Sequence, residues 1–204
     1  MAFWRKKQNE SAYHAPSMND FETENWNKLS SIERREALQY LENQMALEQG
    51  RSPREVYVND TLGKGQCGYY SPNDPTRIHI NRDHLQSSKK GSQYDAMNTV
   101  IHEGRHAYQD DCIQGRLRNE NLKEVELWKK NYDKDVYNEP GNTIKERLNY
   151  RYQPIEEDAN NFTQNKMESF SDRFSSDRNY SKYMKNEAKI DAKGDRIVIR
   201  RMKA

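Results

Sequence analysis

Val100-Ile101-His102-Glu103-Gly104-Arg105-His106-Ala107-Tyr108 is the stretch on which the reading of this chain turns. It sits in a longer run where Ala96, Met97, Val100, Ile101, Ala107 and Tyr108 recur with a helical period. Ser92, with Asp95 three positions on, opens that run in the manner of a capping box, and the pattern lasts to about Asp110. On a helix, residues four apart stand one turn above one another on the same face. His102 and His106 can therefore reach one metal ion, with Glu103 beside them on the water side. A catalytic zinc takes three protein ligands and keeps a position for water, whose pKa it lowers. A carboxylate can then take the water's proton as the oxygen attacks a carbonyl. One helix thus offers two candidate zinc ligands, His102 and His106, and a candidate general base, Glu103.

The third ligand is sought in Gln153-Pro154-Ile155-Glu156-Glu157-Asp158-Ala159-Asn160. Pro154 suits the first turn of a helix running to about Phe170, with Ile155, Ala159, Phe162 and Lys166 on one face. Successive helical residues point about 100° apart, so only one of Glu156 and Glu157 can be a ligand. Glu156 shares a face with Ala159 and Asn160, and the small Ala159 lets the two helices approach closely. Glu156 is favoured, Glu157 is the second choice, and Asp158 is a candidate hydrogen-bond partner behind a histidine. An acidic first turn answering the helix dipole is the competing reading of the cluster. Tyr150, Arg151 and Tyr152, just upstream, are candidates to reach an oxyanion, although packing is the commoner use of such residues.

Working outward, Ser30 and Glu33 form a capping-box pattern for a helix over about 30–49, with Gly50 as its stop. Val56–Val58, Gly68–Tyr70 and Arg77–Ile80 read as short strands of a small antiparallel meander. Polar helices are expected over about 121–132 and near Ile144–Leu148. Residues 1–23 read as a flexible lead, 24–171 as the domain, and 172–204 as a charged extension with Ile197–Ile199 as a late edge strand. His14, His79 and His84 are assigned surface or hydrogen-bonding roles.

His102-Glu103-x-x-His106 followed by a glutamate on a second helix resembles the gluzincin pattern of zinc metallopeptidases. Glu156-x-x-Ala159-Asn160-x-Phe162 looks like the third-ligand helix of ImmA/IrrE-type peptidases of phages and mobile elements. Trp26, Leu29, Ser30, Glu33 and Gln153-Pro154-x-Glu156 also look like minimal zincin domains of bacterial toxin-like and mobile-element proteins. The resemblance spans about residues 24–170. It implies a mostly helical α+β fold with a small antiparallel sheet beside the metal helix. It also implies a strand alongside that helix, for which Arg77–Ile80 is the candidate, whose edge pairs with an extended peptide. The expected activity is zinc-dependent hydrolysis of a protein or peptide substrate, with one zinc ion. The alternative is a non-catalytic, zinc-stabilised module that binds a partner in a mobile-element or toxin system.

The formal net charge of +2 lacks the basic excess usual in nucleic-acid binders, so nucleic acid is not the expected partner. The basic start (Arg5, Lys6, Lys7) and basic end (Arg196, Arg200, Arg201, Lys203) read as solvated termini. Only 33% of residues are hydrophobic and mean hydropathy is −1.31, which predicts a modest core and no membrane span. Two distant cysteines, Cys67 and Cys112, and no Sec-type signal make the cytoplasm the expected compartment, with non-Sec export left open.

Overall fold

The computed structural model describes residues 14–63, 65–133 and 136–202, with side chains to residue 190. A 3-10 turn (Met18–Phe21) and a one-turn helix α1 (Thr23–Trp26) lead into α2 (Ser31–Gln49). Strands β1 (Glu55–Asn59), β2 (Gly68–Tyr70) and β3 (Arg77–Asn81) follow, then a short helix α3 (Arg82–Leu85). The remainder is helical: α4 (Ser92–Ile113), α5 (Leu122–Asn131), α6 (Ile144–Arg151), α7 (Pro154–Ser169) and α8 (Arg178–Met202). The chain is thus a mostly helical α+β fold with one small sheet.

Local chemistry sets the helix ends. Ser30 Oγ accepts from the Glu33 amide, and the Glu33 carboxylate accepts from the Ser30 amide, so both ends of the capping box are made. At the other end of α2, Gly50 adopts φ +68°, where a side chain would be strained. At the start of α4 the cap is Gly91, at φ +86°, and not Ser92. Ser92 is buried and its hydroxyl donates to the Ser87 carbonyl.

The sheet order is β1-β3-β2. β1 runs parallel to β3, and β2 antiparallel to it, so the expected antiparallel meander is in fact a mixed sheet. Arg77–Ile80, expected as the edge beside the metal helix, is part of the central strand. Ile78, His79, Ile80 and Asn81 are all buried, as a strand flanked on both sides requires. The edge strand nearer α4 is β2, stitched to it by Tyr70. The Tyr70 amide donates to Glu103 Oε2 at 2.8 Å and its hydroxyl to Asp110 Oδ2 at 2.8 Å.

One core cluster joins α2, the sheet's inner face and α4 through Leu38, Leu41, Val56, Ile78, Ile80, Met97, Val100 and Ile101. Residues from both flanking segments enter it: Phe21 from the start, and Phe174, Tyr180 and Tyr183 from the end. Ile197–Ile199, expected as a strand, lies within α8. Three apolar residues in a row carry no period of their own, and the helical spacing around them decides. The basic start, Arg5 to Lys7, lies outside the described residues. No described helix is long and apolar enough to cross a membrane.

Candidate metal centre

The site is built where α4 crosses α7. Gly104, between the two histidines, lies on the opposite side of α4 from them. There α4 rests on a buried ion pair: Arg51 Nη1 and Nη2 lie 2.5 and 2.8 Å from the two carboxylate oxygens of Glu42, and both side chains are fully buried. A Cβ on Gly104 would stand 2.6 Å from Arg51 Nη2 and 3.0 Å from Glu42 Oε2. On α7, Ala159 is fully buried, consistent with the close helix approach its size allows.

Asn131 and Gln153 hold the start of α7. Asn131 Oδ1 accepts from the Ile155 amide at 3.1 Å, and its Nδ2 donates to Gln153 Oε1 at 3.0 Å. Gln153 also accepts from the Asn138 amide and donates to the Asn138 carbonyl. This clamp brings the loop after α5 over Glu156, where the Tyr137 hydroxyl donates to Glu156 Oε1 at 2.9 Å.

His102, His106 and Glu156 converge and could hold a metal ion. Their facing atoms are separated by 3.1 Å (His102 Nε2 to His106 Nε2), 3.3 Å (His102 Nε2 to Glu156 Oε2) and 3.4 Å (His106 Nε2 to Glu156 Oε1). A tetrahedral ion with bonds of 2.0–2.1 Å needs ligand atoms about 3.3 Å apart. The two imidazole nitrogens come close to this, and each stands at such a distance from one oxygen of the Glu156 carboxylate. Glu156 Oε2 is buried and has no hydrogen-bond partner, an arrangement that an ion would satisfy. Burial alone would raise the Glu156 carboxyl, but the two histidines outweigh it and hold it well below the usual range. Burial likewise opposes a charge on His106, yet Glu156 pushes its pKa up to about 9. The Tyr137 hydroxyl is pushed upward by burial and then by Glu156, and remains a donor.

Gln109 sets the orientation of His106. Its Nε2 donates to the Ile155 carbonyl at 2.9 Å and to Asp158 Oδ2 at 2.7 Å, both pure acceptors. Its Oε1 must then face His106 Nδ1, at 2.8 Å, so Nδ1 carries a hydrogen and Nε2 is the nitrogen turned into the site, where an ion would take the place of its proton. Asp158 is held in turn by Arg105, through bonds of 2.8 and 2.9 Å. The partner behind His106 is therefore Gln109, with Asp158 one step further out.

Glu103 is fixed through Oε2 by its bond from the Tyr70 amide. Beside the triad opens a cleft of about 790 Å³, lined among others by Tyr69, Tyr70, Tyr132, Tyr137, Ile155 and Glu156. Glu157 is exposed and outside the triad. Of the residues before α7, Tyr150 comes near, its ring 6.2 Å from that of Tyr137. Arg151 lines a different groove, with Asn160 and Met167, and Tyr152 does not line the cleft. His14 pairs with Asp20, and His79 with Asp74 and Asn59, away from the triad. The sequence reading missed Tyr137 and Gln109. Gln109 stands three residues after His106, on its face, and was findable by spacing; Tyr137 arrives through a loop and carried no signal.

No protein-family model matches this chain, and neither the curated proteins nor the solved structures give a match.

Proposed function

We propose that this chain is a zinc-dependent peptidase, with His102, His106 and Glu156 as ligands and Glu103 as general base. The observation that carries this reading is the convergence of two imidazole nitrogens and one carboxylate, each nitrogen 3.3–3.4 Å from an oxygen of Glu156, next to a positioned carboxylate and an open cleft. The donor set, two imidazoles and a carboxylate, suits zinc with one position left for a reactant. When bound, zinc supplies Lewis acidity, which polarises a carbonyl and makes water more acidic.

The chain's own residues do the rest. Glu103 Oε2 is held by the Tyr70 amide, so the side chain cannot swing away and Oε1 is left to take a proton from the attacking water. That proton then goes to the departing amine as the C–N bond breaks. Tyr137 holds Glu156 through Oε1, and Gln109 holds His106 through Nδ1, so the ligands are ordered before a substrate arrives. The tyrosines of the cleft give apolar ring faces against which a peptide can lie.

Glu103→Gln tests the reading. The amide keeps the shape and can still accept from Tyr70, but it cannot take up the proton. The zinc content should match wild type, while cleavage of a quenched-fluorescent peptide library should fall by about 10²–10⁴-fold. Undiminished cleavage by the zinc-loaded variant would remove Glu103 from the chemistry.

A further inference from the structure

α8 meets the rest of the chain along one side. Tyr180 and Tyr183 are buried, with their rings 5.1 and 6.0 Å from that of Tyr94, and the Tyr180 hydroxyl donates to the Met167 carbonyl. These contacts fix the rotation of the helix about its axis. Arg178, Lys182, Lys185 and Lys189, spaced by four, three and four residues, fall on the opposite face, and all four are exposed. With Ser175, Ser181 and Asn186 they line a groove of about 460 Å³.

No carboxylate lines that groove, and none of the four cations is ion-paired to a described residue. Like charges one turn apart destabilise a helix, and a solvated face ordinarily mixes the two signs. Glu187, the single acid between Arg178 and Lys189, lines a separate groove with Arg151 and Met184. The three- and four-residue spacing of cations continues in the sequence through Lys193, Arg196 and Arg200.

We propose that this face of α8 binds the phosphate backbone of a nucleic acid. The net charge of +2 points away from such a partner only because it sums over the whole chain, whereas the helix register gathers the cations on one line. A helix that lies on a membrane carries large apolar side chains beside its basic face. Here Tyr180 and Tyr183 turn into the core, Ile190 is the one large apolar side chain exposed among the described residues of the helix, and the groove is completed by hydroxyls and an amide, groups that hydrogen-bond phosphate oxygens. No aromatic ring lines the groove, so bases find no stacking platform and binding is independent of sequence. None of these residues belongs to the metal triad, so the inference stands or falls apart from the peptidase reading.

Fluorescence anisotropy of the full chain with a labelled short DNA duplex tests it. Four phosphate contacts predict a slope of about −3.6 in log K against log salt, or about 100-fold weaker binding between about 50 and 200 mM. The Lys182→Glu/Lys189→Glu variant should bind at least about tenfold more weakly, with a slope shallower by about two, and with zinc content and melting temperature unchanged. If the double variant melts lower, the single variant Lys185→Gln gives the reading, with a slope shallower by about one. Failure of the wild type to bind, variants that bind as wild type does, or capture by phosphatidylserine vesicles without DNA binding would each overturn the proposal.

Discussion

Gln109 has an acceptor at one end of its amide and donors at the other, and both ends are used. Turning the amide over would set its NH2 against the Nδ1 hydrogen of His106 and its oxygen against Asp158 Oδ2 and the Ile155 carbonyl. One rotamer of a fully buried side chain thus fixes which imidazole nitrogen faces the site. Gln109→Ala removes that constraint and leaves the Ile155 carbonyl and Asp158 short of a donor. Zinc affinity should fall by about 10–100-fold, measured by competition with a chromophoric chelator. Gln109→Glu keeps the acceptor for His106 but sets a second carboxylate against Asp158, and should fall between wild type and Gln109→Ala. An affinity unchanged in both variants would show that His106 is oriented by its helix alone. At this scale the sequence was legible where the chemistry follows helical spacing. His102 and His106 are four apart, and the face shared by Glu156 and Ala159 favoured Glu156 over Glu157. Asp158 was expected as the partner behind a histidine, and spacing along α7 could not show that Gln109 of α4 stands between.

The elements carry a second dependence. α4 presents its histidines on one side and, through Gly104, sits against the Arg51–Glu42 pair of the α2 end on the other. The guanidinium is not free to yield, because Glu42 and Gln49 hold it and Glu42 also accepts from the Arg54 amide at 2.8 Å. Gly104→Ala improves helix propensity by about 1 kcal/mol but pushes a methyl into this pair. A net loss of about 1–3 kcal/mol is expected in urea unfolding of the metal-free protein, because disturbing a buried pair costs more than the propensity returns. A variant as stable as wild type would show that the pair can shift without loss. The helices themselves were readable from caps and period, α2 and α7 nearly to the residue. The strands were found but not their order. Val56, Ile78 and Ile80 all face inward, and alternation alone does not tell a parallel neighbour from an antiparallel one.

Across the whole molecule, the segments around Thr23 and Asp177 meet beside the start of α4. Asp177 caps α8, accepting from the Asn179 amide at 2.8 Å, and also takes the Thr23 amide at 2.7 Å. Burial would raise its carboxyl, but these bonds hold it below its ordinary value. A lowered carboxyl adds stability above the pKa of the unfolded chain, and this is lost as pH falls through the folded value. Asp177→Asn should therefore lower stability by about 1 kcal/mol at pH 7, seen as a drop in melting temperature, with the gap to wild type narrowing below about pH 4. A gap that persists undiminished in acid would mean that the charge is not what matters. Because flanking residues such as Phe21 and Phe174 share the core, the segments read as a lead and an extension help to hold the helix that carries both histidines. The triad itself needs α4 and α7 docked together, so metal content reports on the assembled fold as well as on the ligands. Elemental analysis of the metal-replete chain beside Glu156→Ala and Glu157→Ala is the most direct test. One equivalent of zinc in wild type and in Glu157→Ala, with much less in Glu156→Ala, is the predicted result. No zinc in the wild type, or equal zinc in all three, would contradict the proposed metal centre.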